Sequence, residues 1–395
     1  MSAMAIKKYG VGTCGPPGFY GTLDIHLELE AIISKFLRTQ ASILYSQNFS
    51  AVSSVIPAFS KRGDIIVWYP CLLITISDDG VNFALQKGVQ ISRSDIFYFI
   101  HNDLADLDRV LSEIDQMYKG KLLTRRFIVT EGIFAKYGDI CPLPQIYKYR
   151  LILDESLSIG SIGARGAGLT DFYSDQVSVK DVDMIIGSLG HAFGATGGFC
   201  AGSTTVIDHQ RLGGQAYCFS ASLPALLTVF ALSAIKSMPG MESSSALANV
   251  ADGIQHSLEM LPKNISLFKK SLLSRLPSSF EVRSNDSSLA SCLIHIQMAS
   301  NPEKHPDRDI FFEEKILQKV VDLALEQNIY VTRSKDVRTE DIKNLPPSIK
   351  LCISGAFSES QMAKLIDGLV EAFTKVDKEF KDKNSKFYLQ ASSVS

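Results

Sequence analysis

The chain has 395 residues, 46% hydrophobic and 21% charged, a composition that argues against disordered, fibrous and collagen-like classes and allows two or three domains. Forty Lys and Arg against forty-two Asp and Glu give a net charge of −2 with no basic stripe, which argues against a nucleic-acid partner. Seven scattered cysteines without a CxxC pair argue against a disulfide framework or a zinc or other metal site and fit reduced thiols facing a cytosol; the most apolar windows fall well short of the roughly 18 residues of a membrane span.

The first patterned segment is residues 9–21, YGVGTCGPPGFYG, with Gly10, Gly12, Gly15, Gly18 and Gly21, followed by TLDIHLELEAII at helical spacing. Glycines at that density either let the backbone approach a ligand or another chain, or close a tight loop; Asp24, Glu28 and Glu30 suit the first turns of the helix behind them. Between residues 125 and 207 the runs RRFIVTEG, YRLILDES, VDMIIGSL and GGFCAGSTTVI read as buried strands alternating with helices. The expected class is α/β with a mainly parallel sheet covered on both faces. Residues 223–238 and 243–273 read as helices, the second broken at Pro262. A smaller domain follows: a strand at 291–298, a helix at 309–327, strands at 329–333 and 349–354, a closing helix at 358–376, surface loops at 300–309 and 336–347, and a frayed polar end. The expected division is a large domain of residues 1–238, a linking helix and small domain of residues 239–378, and a polar tail of residues 379–395.

Three further segments carry chemistry-bearing side chains. ILDESLSIG, residues 152–160, puts Asp154 and Glu155 at the end of an apolar strand, where ligands gather in open α/β sheets. The alternative there is a solvated strand end or a helix cap. GSLGHAFGATGG, residues 187–198, surrounds His191 with small residues, and the imidazole either donates a hydrogen bond, stacks on a planar ring or fills space. In IDHQRLGGQAYCFSASLP, residues 207–224, Ser220 and Ser222 either serve a phosphate or cap a helix.

The order and wording of KKYGVGTCGPPGFYGTLDIHLELE, KRGDIIV, LQKGVQISRSDI, FIHNDL, RRFIVTEGIF, ICPLPQIYKYRLILDESLSIG, GGFCAG and VIDHQRLGGQAYCFSASLP resemble the α-oxoamine synthase group of pyridoxal-phosphate (PLP) enzymes, and within it the family of first subunits of serine palmitoyltransferase, over residues 5–376. The resemblance implies a PLP-dependent transferase of fold type I, with a large mainly parallel-sheet domain and a smaller α+β domain. It places His191 at the position of the lysine that holds PLP, and an imidazole offers no primary amine for that bond. Asp154 matches the partner of the pyridine nitrogen, Asn82 the histidine that stacks on the ring, Leu157 a neighbouring histidine, and Lys350 and Phe357 an arginine and histidine near the end. The implied role is a non-catalytic subunit with no catalytic residue of its own. Its lysine-bearing partner subunit holds PLP in a heterodimer, and the shared site takes L-serine and a long-chain acyl-CoA on the cytosolic face of the endoplasmic reticulum. Gly10, Gly12, Cys14, Gly15, Gly18 and Gly21 form the loop expected to reach across that interface.

Departures from the family's pattern complete the expectation. The chain starts almost at the glycine loop, short of the family's membrane anchor; WYPCLLITIS, residues 68–77, reads as an apolar insertion that either extends a strand or emerges as a loop; Pro17 stands where arginine is common. Two other roles are weighed beside the leading one: an independently active PLP-dependent homodimer of the same group, and a truncated isoform that only binds or regulates the catalytic subunit.

Overall fold

β-Branched and aromatic runs build a seven-stranded sheet in the computed structural model, which describes residues 2–59, 72–92, 94–119, 123–146, 149–242, 245–284, 291–299, 310–335 and 337–391. Its strands are β1 (Ala41–Tyr45), β2 (Leu72–Asp78), β3 (Asp95–Phe99), β4 (Leu123–Glu131), β5 (Arg150–Asp154), β6 (Met184–Ser188) and β7 (Gly198–Gly202), in the order β1-β7-β6-β5-β4-β2-β3. From β3 to β6 all neighbours are parallel, while β7 runs antiparallel to both β6 and β1. Ile128, Val129, Leu151, Ile152, Leu153, Ile185 and Ile186 are buried on successive positions, so both faces are covered, as the unbroken apolar runs require. The α/β class stands.

Several elements differ from the sequence expectation for local reasons. The strand in GGFCAGSTTVI stops at Gly202, because the Ser203 hydroxyl accepts a hydrogen bond from Val206 N (3.4 Å) and starts a helix over Thr204–Gly213. Six of the ten residues of the apparent insertion, 72–77, form most of β2, hydrogen-bonded between β3 and β4; the other four, Trp68 included, lie outside the described residues.

The chain groups into two units. The first comprises Met1–Lys136, Ile140–Leu258 and Asp341–Lys343, and the second Tyr137–Asp139, Glu259–Glu340 and the chain from Asn344 onward. The division falls inside the helix Ala248–Leu273 rather than near residue 238. Within the loop expected to belong to the small domain, Asp341 groups with the first unit and pairs there with Lys136.

The second unit is built on an antiparallel sheet of β8 (Phe280–Val282), β9 (Leu293–Met298), β10 (Thr332–Arg333) and β11 (Ser348–Cys352), in the order β10-β11-β9-β8, with helices Ile310–Glu326 and Glu359–Ala391 packed together. Its core includes Phe268, Ile296, Leu317, Ile349, Leu369 and Phe373, with the Phe280 and Phe373 rings edge to face at 4.9 Å. Pro262 does not break its helix. A missing N–H costs about 3 kcal/mol, whereas Leu261, Ile265, Phe268 and Leu272 lie buried along one face and contribute about 1.5–3 kcal/mol each. The closing helix likewise outruns the expectation: Met362, Ile366, Leu369, Phe373 and Val376 form its buried stripe, and the backbone stays helical to Ala391 through the segment expected to fray. Among the described residues no helix is long and apolar enough to cross a membrane.

Candidate functional site

Three parallel strands end in acids: β2 in Asp78, β4 in Glu131 and β5 in Asp154. Adjacent strands in register bring Glu131 directly opposite Asp154, and both are buried, at 2% and 3% exposure. Asn82 sits between them. Its backbone N–H donates to Glu131 Oε1 (2.5 Å), its Nδ2 donates to Asp154 Oδ2 (2.9 Å), and its Oδ1 accepts from Leu85 N (3.1 Å) at the start of the helix Phe83–Ser92. The second oxygens are also occupied: Ala135 N donates to Glu131 Oε2 (3.1 Å) and Ser156 N to Asp154 Oδ1 (3.0 Å).

Burial dominates the electrostatics. It pushes the Glu131 carboxyl up to about 8, helped by the neighbouring Asp154 charge, so Glu131 keeps its proton at neutral pH. Burial raises Asp154 as well, against the hydrogen bonds from Ser156 and Asn82 and the nearby His191. Glu155 points elsewhere. It accepts from Leu169 N (2.8 Å) and Ser158 Oγ, and burial raises it to about 7. Of the two acids in ILDES, Asp154 therefore faces the Asn82 site and Glu155 fastens the chain that follows.

His191 stands exposed in the turn after β6, with its charge felt at Asp154. Of the glycines around it, Gly187, Gly197 and Gly198 serve the chain's own packing. Gly197 has φ of +98°, and a Cβ there would lie 2.7 Å from the Tyr45 carbonyl.

The glycine loop divides in two. Gly15 and Gly21 pack against this chain: Gly15 O accepts from both Ser222 N (3.0 Å) and Ser222 Oγ (3.1 Å), and a side chain at Gly21 would collide with Gly15 O, Pro16 O and Ser222 Oγ. Ser222 thus holds the loop and serves no helix cap, the first residue before the helix Ala225–Lys236 being Pro224. Gly10, Gly12 and Gly18 have open space where a Cβ would be, and the loop from Gly10 to Gly21 exposes Cys14 at φ of +52°, Val11 (88%), Phe19 (73%) and Tyr20 (98%). Leu157 is half-buried beside the Asp154 strand end; Lys350 lies on β11 and Phe357 packs on the second unit's core.

Sequence reasoning missed Glu131. Its signal was present, since TEG ends an apolar strand as DES does, and only the register of β4 against β5 shows that the two acids meet.

Among the described residues no lysine bonds to Asp154, Glu131 or Asn82. Both Asp154 oxygens hold donors from this chain, and the exposed imidazole of His191 stands in the turn beyond.

The aminotransferase class I and II family matches residues 3–369, and the chain belongs to that family. Its fold is shared with solved PLP-dependent enzymes: a serine palmitoyltransferase from S. paucimobilis with bound PLP–myriocin aldimine (TM-score 0.76, 20% identity, 95% of this chain and 83% of that one) and 8-amino-7-oxononanoate synthase from Francisella tularensis (TM-score 0.68, 20% identity, 96% and 92%). Within the family it groups with proteins named serine palmitoyltransferase 1, 40% identical in Dictyostelium discoideum (93% of this chain, 72% of the relative) and 36% in Saccharomyces cerevisiae (93% and 68%), and with long chain base biosynthesis protein 1c of rice at 39% (91% and 69%).

Proposed function

We propose that this chain is a non-catalytic, interface-forming subunit of serine palmitoyltransferase, which condenses L-serine with palmitoyl-CoA to 3-ketosphinganine, carbon dioxide and free CoA. The observation that carries this reading is His191, an imidazole in the turn beside Asp154 where a resident enzyme of the family needs an amine. PLP, held by the lysine-bearing partner subunit, supplies the electron sink for the carbanion on serine. This chain's residues act around it. Asn82, Glu131 and Asp154 close their own strand ends with mutual hydrogen bonds, and the glycine loop carries Cys14 and Tyr20 outward to complete the partner's pocket and exclude water. Through that complex the chain works at the cytosolic face of the endoplasmic reticulum.

Co-expression with a lysine-bearing partner tests the reading. The expected result is no borohydride-reducible PLP absorbance from the chain alone, 3-ketosphinganine synthesis from the pair, and a several-fold loss of synthesis with Cys14→Trp. A reducible PLP adduct with turnover from the chain alone establishes the independent homodimer instead. Binding without synthesis establishes the regulatory isoform.

A further inference from the structure

His26 is a buried histidine that the proposed pocket does not use. It lies in the first turn of the helix Asp24–Leu37, 5% exposed, with both ring nitrogens engaged: Nδ1 is 3.0 Å from Leu23 N, and Nε2 is 2.6 Å from Leu223 O. A backbone N–H only donates and a carbonyl only accepts, so Nδ1 accepts, Nε2–H donates, and the ring is held as the Nε2–H tautomer. The first bond caps the helix, as a glutamine at the same place does in a capping box. The second joins the end of the glycine loop to the segment just before the helix Ala225–Lys236.

That same segment holds the middle of the loop. Ser222 donates to Gly15 O through both N and Oγ, while Gly21 N donates to Pro16 O (3.0 Å) and Thr13 Oγ1 to Gly21 O (3.3 Å). Cys14 and Tyr20 each stand one residue before a tied glycine, at φ of +52° and +61°. Residues other than glycine keep such angles only where their surroundings enforce them. Between the loop and the body lies a cavity of about 20 Å³, room for about one water, bounded by Pro17, Thr22, His26, Glu30, Tyr45 and Ser222 among others. Hydrogen bonds, more than packing from below, therefore set the height of the loop.

We propose, on the subunit reading given above, that His26 is a positioning residue for the shared site: through Leu223 it fixes the exit of the glycine loop, and with it the places of Cys14 and Tyr20 against the partner's pocket. His26 touches no substrate, and its effect passes through the loop.

Substitution separates the two bonds. Asparagine puts Oδ1 where Nδ1 stands and keeps the cap, but is too short to reach Leu223; glutamine carries an acceptor and a donor at full length. In hydrogen–deuterium exchange of the full chain alone, His26→Asn should speed exchange across residues 13–21 by about fivefold or more and leave residues 226–236 unchanged, and His26→Gln should return the loop to wild-type exchange. In the chain paired with its lysine-bearing partner, His26→Asn should lower kcat several-fold with the KM for L-serine and the melting temperature unchanged, and His26→Gln should restore kcat. A role in stability alone moves the melting temperature instead. Unchanged loop exchange in His26→Asn, full kcat from a pair whose loop exchanges faster, or lost synthesis in His26→Gln with wild-type loop exchange each overturns the proposal. A wild-type pair that makes no 3-ketosphinganine defeats the subunit reading and the positioning role with it, whereas exchange in the isolated chain judges the tether by itself.

Discussion

Asn82 is one amide on which two strands and a helix depend. Removing it in Asn82→Ala leaves an Asp154 oxygen without its donor and the first turn of Phe83–Ser92 without its acceptor, so we expect a loss of about 1–3 kcal/mol in urea unfolding. The neighbouring acids make stability depend on pH with a definite sign. Glu131 has a folded value near 8 against an ordinary 4.5, so the folded state holds an extra proton between those values. Its contribution is intact below about 4.5 and is lost as pH rises through 8, and Glu155 adds the same trend up to about 7. The urea midpoint should therefore fall between pH 5 and pH 8, and fall less in Glu131→Gln. Asp154, Asn82 and His191 were marked by the family resemblance, and the structure joins Asn82 to Asp154 by a hydrogen bond. Glu131 was not, because its importance comes from a register that no local pattern encodes.

At the scale of elements, glycine count was readable and glycine purpose was not. The sequence shows five glycines between residues 10 and 21 with equal weight, yet Gly21 meets Gly15, Pro16 and Ser222 of its own chain while Gly18 faces open space. Gly21→Ala should accordingly lower stability by about 1–3 kcal/mol, and Gly18→Ala should leave it within about 0.5 kcal/mol, both read from thermal or urea melts. Parallel strands were legible because burial on both faces forces unbroken apolar runs. The end of β7 was not, because Ser203 acts through a cap that looks like one more β-prone residue. Pro262 misled for a related reason: local propensity favours a break, and four buried side chains override it. Replacing it with alanine should raise the second unit's stability by about 1–2 kcal/mol, the restored bond being partly offset by a freer unfolded chain.

For the molecule as a whole, the sequence conveyed two cores and a family, since long matched phrases carry more information than any short motif. In the proposed reading the amine comes from a partner chain, and a single sequence encodes only this chain's share of such a site. The second core should respond as one body: Phe373→Ala, which empties its centre, should cost about 3–5 kcal/mol in unfolding followed by near-ultraviolet circular dichroism. The strand order has a consequence for biosynthesis. β1 is an edge strand whose ladder partner is β7, so Ile43 and Leu44 emerge from the ribosome long before Cys200 and Phe199 exist to meet them. At roughly 5–20 residues per second that delay is about 8–30 s, during which a trigger-factor-like holdase has an apolar segment to shield. Nascent chains stalled ahead of Gly198 should be cut by protease at β1, and chains released after the whole sheet has been translated should resist.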